Sequence, residues 1–215
     1  MATKKKTEPV EIQIPQVTIK NLEITLVGDS PLLMHRWSDK AKKQMLDKQM
    51  KKAKKGKEAK DPAMDFAQSI YLIDEKEGDR QRMRDGDFKG IRFGFPTIAF
   101  KGSAVSACRF SDGVKMTEAR GAFHINGDMT EIITPEPPRL REDMVRISMG
   151  TADIRYRAEF PVWKARLIVR YNTSALSVEQ IVNLFNTGGF GVGVGEWRPE
   201  KNGSMGMFHV QTGDE

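Results

Sequence analysis

Residues 164–172, KARLIVRYN, constrain the fold of this chain more than any other stretch. Apolar side chains occupy every second position, and basic residues fill most of the positions between them. Because successive side chains of a β-strand point to opposite faces of the sheet, this alternation predicts a strand with one core face and one basic face. The core face is Ala165, Leu167, Val169 and Tyr171, and the other face is Lys164, Arg166, Ile168 and Arg170.

A helix is predicted directly after this strand. Ser177 and Gln180 have the spacing of a capping box, in which each side chain bonds the backbone N–H of the other residue. Gly188 is placed to end the helix as its C-cap. The apolar stripe of the helix recurs at helical spacing and consists of Val178, Ile181, Val182 and Phe185.

Earlier segments complete an alternation of strands and helices. The N-terminal alternation predicts a half-buried strand that ends at Gly28, with an apolar face made of Leu22, Ile24 and Leu26. Residues 100–110, FKGSAVSACRF, are predicted to form a helix, and Asn126 and Gly127 a hairpin turn. Strands interleaved with two or more helices at short spacing predict an α+β sandwich.

The composition excludes several classes of protein. A chain of 215 residues is long enough to bury a core without disulfides or a metal. A single cysteine excludes a disulfide framework or a cysteine-built zinc site, and the three histidines lack metal-ligand spacing, so no metal or cofactor is predicted. No apolar run approaches a membrane span, and the start lacks the apolar core of a signal peptide, which predicts a cytoplasmic protein without a membrane partner.

The positive charge is distributed unevenly along the chain. The net charge is +6, and residues 40–60 contain ten lysines against only Asp47 and Glu58. Such a run is either a solvated, mobile segment or a basic arm that contacts phosphates. We therefore predict a flexible N-terminal arm over residues 1–16 and one domain over 17–215, with a charged insertion at about 38–90.

Glycines dominate residues 187–210, TGGFGVGVGEWRPEKNGSMGMFHV. The order of helix, glycines and strand is the reverse of a dinucleotide-binding fingerprint, which requires the glycines between a strand and a following helix. A flexible linker is also disfavoured, because large apolar residues alternate with the glycines. The segment is therefore not predicted to bind a nucleotide or to act as a spacer.

Two interpretations of the glycines stay open. In the first, a strand-like loop with a bare backbone, including Gly191 and Gly193, lets a ligand approach closely. Trp197, Arg198 and Lys201 would then supply a stacking surface and cations for single-stranded nucleic acid. In the second, the segment is a strand and hairpin packed tightly on the preceding helix, and Trp197 belongs to the core.

Three stretches together resemble the RAMP superfamily, the RNA-binding proteins of CRISPR systems. The first strand with its exit GDSPLLMHRW, the segment FPTIAFKGSAVSACRF, and the helix followed by the glycine-rich segment have the order and spacing of that family's motifs. The most similar member is the guide-RNA-binding backbone subunit of CRISPR effector complexes. The chain also resembles proteins of tailed-phage genomes, which implies a phage-encoded relative acting in a bacterial or infected host cell.

The resemblance implies an RRM-like (ferredoxin-like) antiparallel sheet, βαββαβ, with helices on one face and insertions forming a thumb and a helical lobe. It implies that Lys101, Gly102 and Arg109 contact phosphates, with backbone amides near Gly102 adding an anion site at a helix start. His35, Arg36 and Trp37 leave the first strand toward the same groove, although Trp37 is equally consistent with a lid over the core.

The predicted function is binding of single-stranded RNA or DNA with little sequence specificity by a protein that assembles side by side along the strand. Lysines of the insertion would clamp phosphates, and strand arginines would either contact phosphates or form ion pairs. The remaining members of the predicted interface are Lys42, Lys43, Arg155, Arg157, Arg166 and Arg170.

Two other functions remain as alternatives. A RAMP-type metal-dependent ribonuclease would use an aspartate after the first strand, where Asp29 and Asp39 are the candidates. Asp29 in GDSP is also typical of a turn, and Asp39 of the first turn of a helix. The second alternative is a phage protein-interaction factor that mimics a CRISPR subunit without binding nucleic acid. The protein is predicted not to be an enzyme.

Overall fold

A computed structural model describes residues 16–52, 59–148 and 150–212. The predicted N-terminal arm lies outside the described residues except for its last position, and so does the middle of the lysine-rich run, residues 53–58. Within the described ranges, no helix combines the length and apolarity needed to cross a membrane.

The described residues form ten strands and six helices. The strands are β1 (Ile19–Gly28), β2 (Leu32–Met34), β3 (Tyr71–Leu72), β4 (Phe93–Pro96), β5 (Phe123–Ile125), β6 (Met129–Ile133), β7 (Arg139–Ser148), β8 (Thr151–Phe160), β9 (Lys164–Asn172) and β10 (Phe208–Val210). The helices are α1 (Asp39–Gln49), α2 (Pro62–Ser69), α3 (Asp79–Arg84), α4 (Thr97–Ser106), α5 (Met116–Ala122) and α6 (Val178–Gly191), with 3₁₀ segments at Ala107–Phe110 and Pro199–Lys201.

The main sheet has the predicted ferredoxin-like order. Its strands are arranged β10-β1-β9-β6-β4-β3, β5 pairs with β9 beside β6, and every pairing is antiparallel. Taking β5 and β6 as one interrupted strand, β1, α4, β5/β6, β9, α6 and β10 form the βαββαβ core. The predicted α+β fold class is therefore confirmed.

The alternation of β1 and β9 sets the two faces of this sheet. Leu26 pairs with Ala165 and Ile24 with Leu167, and all four side chains are buried. Helices α4 and α6 cover this face with residues such as Phe100 and Phe185. Complete burial of one such large apolar side chain contributes about 1.5–3 kcal/mol. The opposite face keeps its polar residues in solvent, as predicted.

The turn at Asn126 and Gly127 is not a hairpin. Gly127 adopts a left-handed conformation with φ of 80°, but β5 and β6 do not pair with each other. Both strands pair with β9, so the turn interrupts one strand direction instead of reversing it. The sequence signal for the turn was correct, and the inferred reversal was wrong.

A second, three-stranded sheet has the order β2-β8-β7. It is built from a long hairpin of β7 and β8 inserted between β6 and β9, to which β2 adds a third strand through the pairs Leu32–Phe160 and Met34–Ala158. The charged segment that follows Pro138 forms strand β7. This sheet carries one wall of the candidate site described below.

The predicted charged insertion consists of two different parts. Helix α1 buries none of its residues, in agreement with a solvated segment. Helices α2 and α3 instead place Phe66, Ala67 and Met83 in the core. The part of the charged insertion that contains α2 and α3 therefore contributes to the core. Its few apolar residues are spaced so that they face the core between highly charged neighbours.

The glycine-rich segment is largely helix and tight turns rather than a strand-like loop. The predicted capping box of α6 is present, with Gln180 N–H donating to Ser177 Oγ at 3.2 Å. The helix continues through Gly188 to Gly191, so the predicted C-cap at Gly188 is wrong. A Cβ on Gly188 would lie 2.8 Å from the carbonyl of Ser103, and one on Gly189 would overlap the carbonyl of Phe208.

The glycines therefore allow α6 to pack closely against α4 and β10 of the same chain. Ser103 Oγ uses this proximity to donate a hydrogen bond to the carbonyl of Gly188 at 2.9 Å. Gly191 lies against the ring of Phe110, and Gly193 lies against Pro199. For Gly188 and Gly189 the backbone that approaches closely belongs to the protein itself, whereas the predicted nucleic-acid contacts of Gly191 and Gly193 stay predictions.

Candidate nucleic-acid groove

A groove of about 760 Å³ lies between α1 and the end of the β7–β8 hairpin. We call it the α1 groove. It brings together three regions that are distant in the sequence: the segment after β2, strand β8, and the middle of the glycine-rich segment at Glu196. Its lining residues include His35, Arg36, Trp37, Lys40, Met45, Lys60, Asp65, Asp153, Ile154, Arg155, Tyr156 and Glu196.

Backbone hydrogen bonds fix the groove walls to the core. The N–H of Glu196 donates to the carbonyl of Leu33 at 3.0 Å, and the N–H of Arg36 donates to the carbonyl of Ser69 at 2.8 Å. Ser38 caps α1, its Oγ accepting from the N–H of Ala41 at 3.1 Å. These contacts direct the residues that follow β2 along the floor of the groove.

Two tryptophans near the groove are exposed to solvent. The side chain of Trp37 is 55% exposed, and that of Trp197 is 42% exposed. Trp37 is therefore not a lid over the core, and Trp197 is not a core residue. Trp197 also has a φ of 53°, a left-handed conformation that costs a bulky residue about 1–2 kcal/mol.

Charges of both signs line the α1 groove. His35 Nδ1 lies 3.7 Å from Glu196 Oε1, and Arg155 Nε lies 3.8 Å from Asp153 Oδ2. Hydrogen bonding with His35 lowers the pKa of Glu196, and the charges of nearby arginines reinforce this effect against the raising effect of burial. Burial raises the pKa of Asp65, which disfavours its negative charge. Cations outnumber acids, but only slightly.

Arg157 is not available to a ligand. Its side chain is 2% exposed, and Nη1 donates to Asp143 Oδ2 at 3.0 Å while Nη2 lies 3.6 Å from Glu196 Oε2. Its Nε and the Nη1 of Arg36 are buried and have no hydrogen-bond partner among the described residues. The predicted phosphate contact by Arg157 is therefore corrected to a structural ion pair that ties the hairpin to the glycine-rich segment.

Lys40 of α1 lines the groove, whereas Lys42 and Lys43 of the same helix do not. Lys42 Nζ lies 3.5 Å from Asp39 Oδ1, and Lys43 is exposed. Arg36 also binds Asp39, with Nη2 at 3.1 Å. Burial raises the pKa of Asp39, but the Arg36 and Lys42 charges outweigh this effect and hold that pKa below its ordinary value.

The predicted anion site at a helix start is wrong. Helix α4 begins at Thr97, so Lys101 and Gly102 lie in its second turn, where amides are already used by the helix. Lys101 Nζ lies 3.0 Å from His124 Nδ1. Arg109 Nη1 binds Glu200 Oε1 at 3.3 Å.

The other predicted cations are scattered. Arg198 binds Glu200 at 2.9 Å and donates to the carbonyl of Gly195, while Lys201 is exposed. Arg166 binds Glu23 at 3.4 Å on the exposed face of the sheet, and Arg170 is exposed on the same strand. A smaller pocket of about 240 Å³ contains Gly102, Gly193 and Arg198 among its lining residues. The structure thus brings His35, Arg36, Trp37 and Arg155 together and places the others elsewhere.

The two aspartates considered for metal-dependent cleavage contact basic side chains of the protein. Asp29 Oδ1 lies 2.6 Å from His209 Nδ1, and Asp39 contacts Arg36 and Lys42 as described. In the described part of the chain, no three His, Cys, Asp or Glu side chains are grouped so that they can hold a metal ion.

Several groove residues were missed from the sequence. Lys60, Asp153 and Tyr156 come together because β8 packs against α2, the helix that begins just after Lys60. Lys60 Nζ bonds both Asp153 and the carbonyl of Ile154. Polar and apolar residues alternate over residues 151–160, and this alternation was the available sequence signal for strand β8. No local sequence signal indicates that β8 pairs with β2.

Comparisons with known proteins support the fold. A chain in a cryo-EM structure of the type III-B complex Cmr-beta bound to cognate target RNA is similar over 90% of this chain, with a TM-score of 0.51 and 10% identity. This chain covers 59% of that longer chain. Cmr6 from Pyrococcus furiosus matches over 91% of this chain and 100% of its own length at 11% identity, but its TM-score of 0.39 carries no argument.

No protein-family model matches the sequence, and no curated protein is similar to it in sequence. The likeness to the Cmr-beta chain therefore concerns the fold, which is RAMP-like: an antiparallel, ferredoxin-like sheet with helices and insertions. Function has to be argued from the residues of the groove.

Proposed function

We propose that this protein binds single-stranded nucleic acid in the α1 groove. The observation that carries the proposal is the exposed indole of Trp37 at a groove that also holds Arg36, Lys40 and Arg155. Every nucleobase has a flat face that stacks on an aromatic ring, while cations beside the ring contact phosphates. The solved Cmr-beta structure, which is bound to target RNA, shares the fold and supports this assignment.

Stacking is expected to contribute more than charge in this groove. Asp65, Asp153 and Glu196 offset much of the positive potential of the neighbouring cations. Met45 and Ile154 add exposed apolar surface beside Trp37, which suits unstacked bases better than a duplex backbone. We therefore propose a preference for single strands over duplexes, with a moderate dependence on salt.

The proposal includes low sequence specificity and assembly of copies side by side along a longer strand. Stacking on an indole tolerates any base, whereas sequence reading requires hydrogen bonds to base edges. The ligand is RNA or single-stranded DNA, the latter if the protein is a phage-encoded relative. We also propose binding without cleavage, because Asp29 is held in contact with His209, and Asp39 with Arg36.

Fluorescence anisotropy with labelled 30-nucleotide RNA, single-stranded DNA and duplex DNA at several salt concentrations tests the proposal. We expect the wild type to prefer a single strand and Trp37→Ala to bind about 10- to 100-fold more weakly, equivalent to about 1–3 kcal/mol of stacking. Trp37→Phe retains a ring and should recover much of the affinity.

Unchanged affinity of Trp37→Ala would contradict binding in the α1 groove. No binding of any strand at low salt would overturn the proposed function and favour a protein partner. Gel analysis of the same mixtures with Mg²⁺ tests cleavage, and sedimentation on strands of increasing length tests assembly: the number of bound copies should rise with length.

A further inference from the structure

A second group of cations lies on elements that do not line the α1 groove. It consists of Lys101 on α4, Arg120 on α5, His124 on β5 and Arg170 on β9. We call it the Lys101 cluster. Two of its members, Arg120 and His124, were not among the predicted site residues.

The cluster is assembled around an edge of the sheet. Strand β5 pairs only with β9 among the described strands, which places Arg170 directly opposite His124 on the exposed face. Side chains opposite each other in an antiparallel pair have Cβ atoms about 4.5–5.5 Å apart. Lys101 approaches from the helical side, with its Nζ 5.8 Å from the centroid of the Phe123 ring and 3.0 Å from His124 Nδ1.

Lys101 is close to other basic groups of the cluster. An ammonium group has three N–H donors, and the contact with His124 Nδ1 uses at most one of them. Burial lowers the pKa of Lys101, and the positive charge of Arg120 lowers it further, so Arg120 is near enough for its charge to act on Lys101. An anion between them would relieve this repulsion.

The two arginines of the cluster differ from most described arginines because no described Asp or Glu forms an ion pair with them. The chain contains fifteen arginines, all in described residues, and twelve of them form an ion pair with a described Asp or Glu. The three others, judged against the described residues, are Arg120, Arg146 and Arg170. Two of these three lie in the Lys101 cluster, whereas Arg166 on the same strand and face as Arg170 pairs with Glu23.

We propose that the Lys101 cluster binds a backbone phosphate of the nucleic-acid strand, as an anchor separate from the α1 groove. This inference rests on the proposed function. Two arginines, a lysine and an imidazole N–H match the several acceptor oxygens of one phosphate group. Because the site contains cations without acids, it contributes the salt-dependent part of binding, whereas the groove contributes stacking.

The test compares the double variant Arg120→Gln/Arg170→Gln with Arg146→Gln and Arg139→Gln. Arg146 has no acidic partner among the described residues, whereas Arg139 pairs with Glu136, and neither belongs to the predicted interface. Anisotropy with the preferred 30-nucleotide strand is measured across salt concentrations. We expect the double variant to bind several-fold more weakly at low salt and to flatten the slope of log K against log salt by about 0.7 for one lost phosphate contact. The two control variants should leave the slope nearly unchanged, and thermal unfolding checks that all variants are folded.

The outcomes separate this inference from the proposed function. If the wild type binds a strand and Trp37→Ala weakens it, but the double variant retains the wild-type slope, the cluster is not a phosphate site although the groove is correct. Equal losses in the double variant and both controls would reduce the effect to general charge and overturn the inference. Binding of inorganic phosphate is monitored by NMR in parallel. If the double variant loses phosphate binding but keeps its affinity for the strand, the cluster binds a free anion and the inference is overturned. No strand binding by the wild type overturns both proposals.

Discussion

The two walls of the α1 groove are attached to the protein in opposite ways. Helix α1 buries none of its residues and depends on the Ser38 cap and ion pairs such as Arg36–Asp39. The wall formed by β8 and the glycine-rich segment is continuous with the core, with Val194 only 1% exposed and Arg157 in a buried ion pair. A change in the second wall should therefore affect folding, whereas a change in α1 should affect binding with little effect on folding.

The largest expected effect tests whether the glycine wall is part of the core. Gly189→Ala should destabilise the protein by about 3 kcal/mol or more, because its Cβ overlaps the carbonyl of Phe208, a backbone atom that cannot rotate away. Denaturant unfolding measures the change. Gly191→Ala is the matched control: its Cβ meets only the exposed ring of Phe110, so its stability should stay within about 1 kcal/mol of the wild type. Similar losses in both variants would contradict the packing role of Gly189.

The next effect concerns the charge that joins the two walls. Glu196→Gln should lower stability at neutral pH by about 1–2 kcal/mol, because Arg157 and His35 lose a charged partner. The pKa of Glu196 is below its ordinary value, so the carboxylate stabilises the fold above about pH 5, and this contribution is lost as the pH falls through the lowered pKa. The free energies of unfolding of the wild type and Glu196→Gln are measured between pH 7 and 3, and their difference should disappear on acidification. A difference in stability that persists at pH 3 would exclude a charge effect.

A smaller effect is expected from the cap of α1. Ser38→Ala should destabilise this helix locally by about 1 kcal/mol. Hydrogen exchange of α1 amides should accelerate while global unfolding changes little, because α1 buries no residue. Ser38→Asn, which restores a capping oxygen, serves as the control. A large fall in global stability would show that both walls belong to one cooperative unit and would remove the contrast between them.

The smallest effect has the opposite sign. Gly102 lies inside α4, is exposed, and has no atom within 4 Å of the position of an added Cβ. Gly102→Ala should therefore stabilise the protein by up to about 1 kcal/mol through helix propensity. Thermal unfolding measures this gain, and anisotropy measures strand binding. Stabilisation with a loss of binding would show that Gly102 lets a ligand approach, and destabilisation would contradict the open surroundings seen here.

The elements that were predicted correctly carry strong local signals. The alternation of β1 and β9 and the capping box of α6 depend on neighbouring residues, and the predicted fold class followed from their order. The glycines left two interpretations open because their signal is ambiguous: a missing Cβ permits close approach, but the sequence does not state what approaches. Only the packing against Ser103 and Phe208 shows that the approaching backbone is the protein itself.

The candidate site was only partly predictable for a related reason. His35, Arg36 and Trp37 stood out locally, and the structure places them beside Arg155 but not in a common groove with Lys101. Arg157 was misassigned because its partners, Asp143 and Glu196, come from other parts of the chain. Alternation distinguishes the faces of a strand, but it does not reveal that the charged face of β8 is the buried one at Arg157.

The position of β1 in the sheet has a consequence for synthesis. The two strands that pair with β1, β9 and β10, are the last two of the described strands. Strand β2 likewise pairs with β8, which is made much later than β2. While the nascent chain is shorter than about 170 residues, Ile24 and Leu26 lack their partners Leu167 and Ala165 on β9. Pairing of strands this far apart in the sequence is also slow, because a long loop has to close. Strand β1 therefore has an unpaired apolar face during synthesis until β9 has been made, which is the stage at which exposed apolar surface favours aggregation.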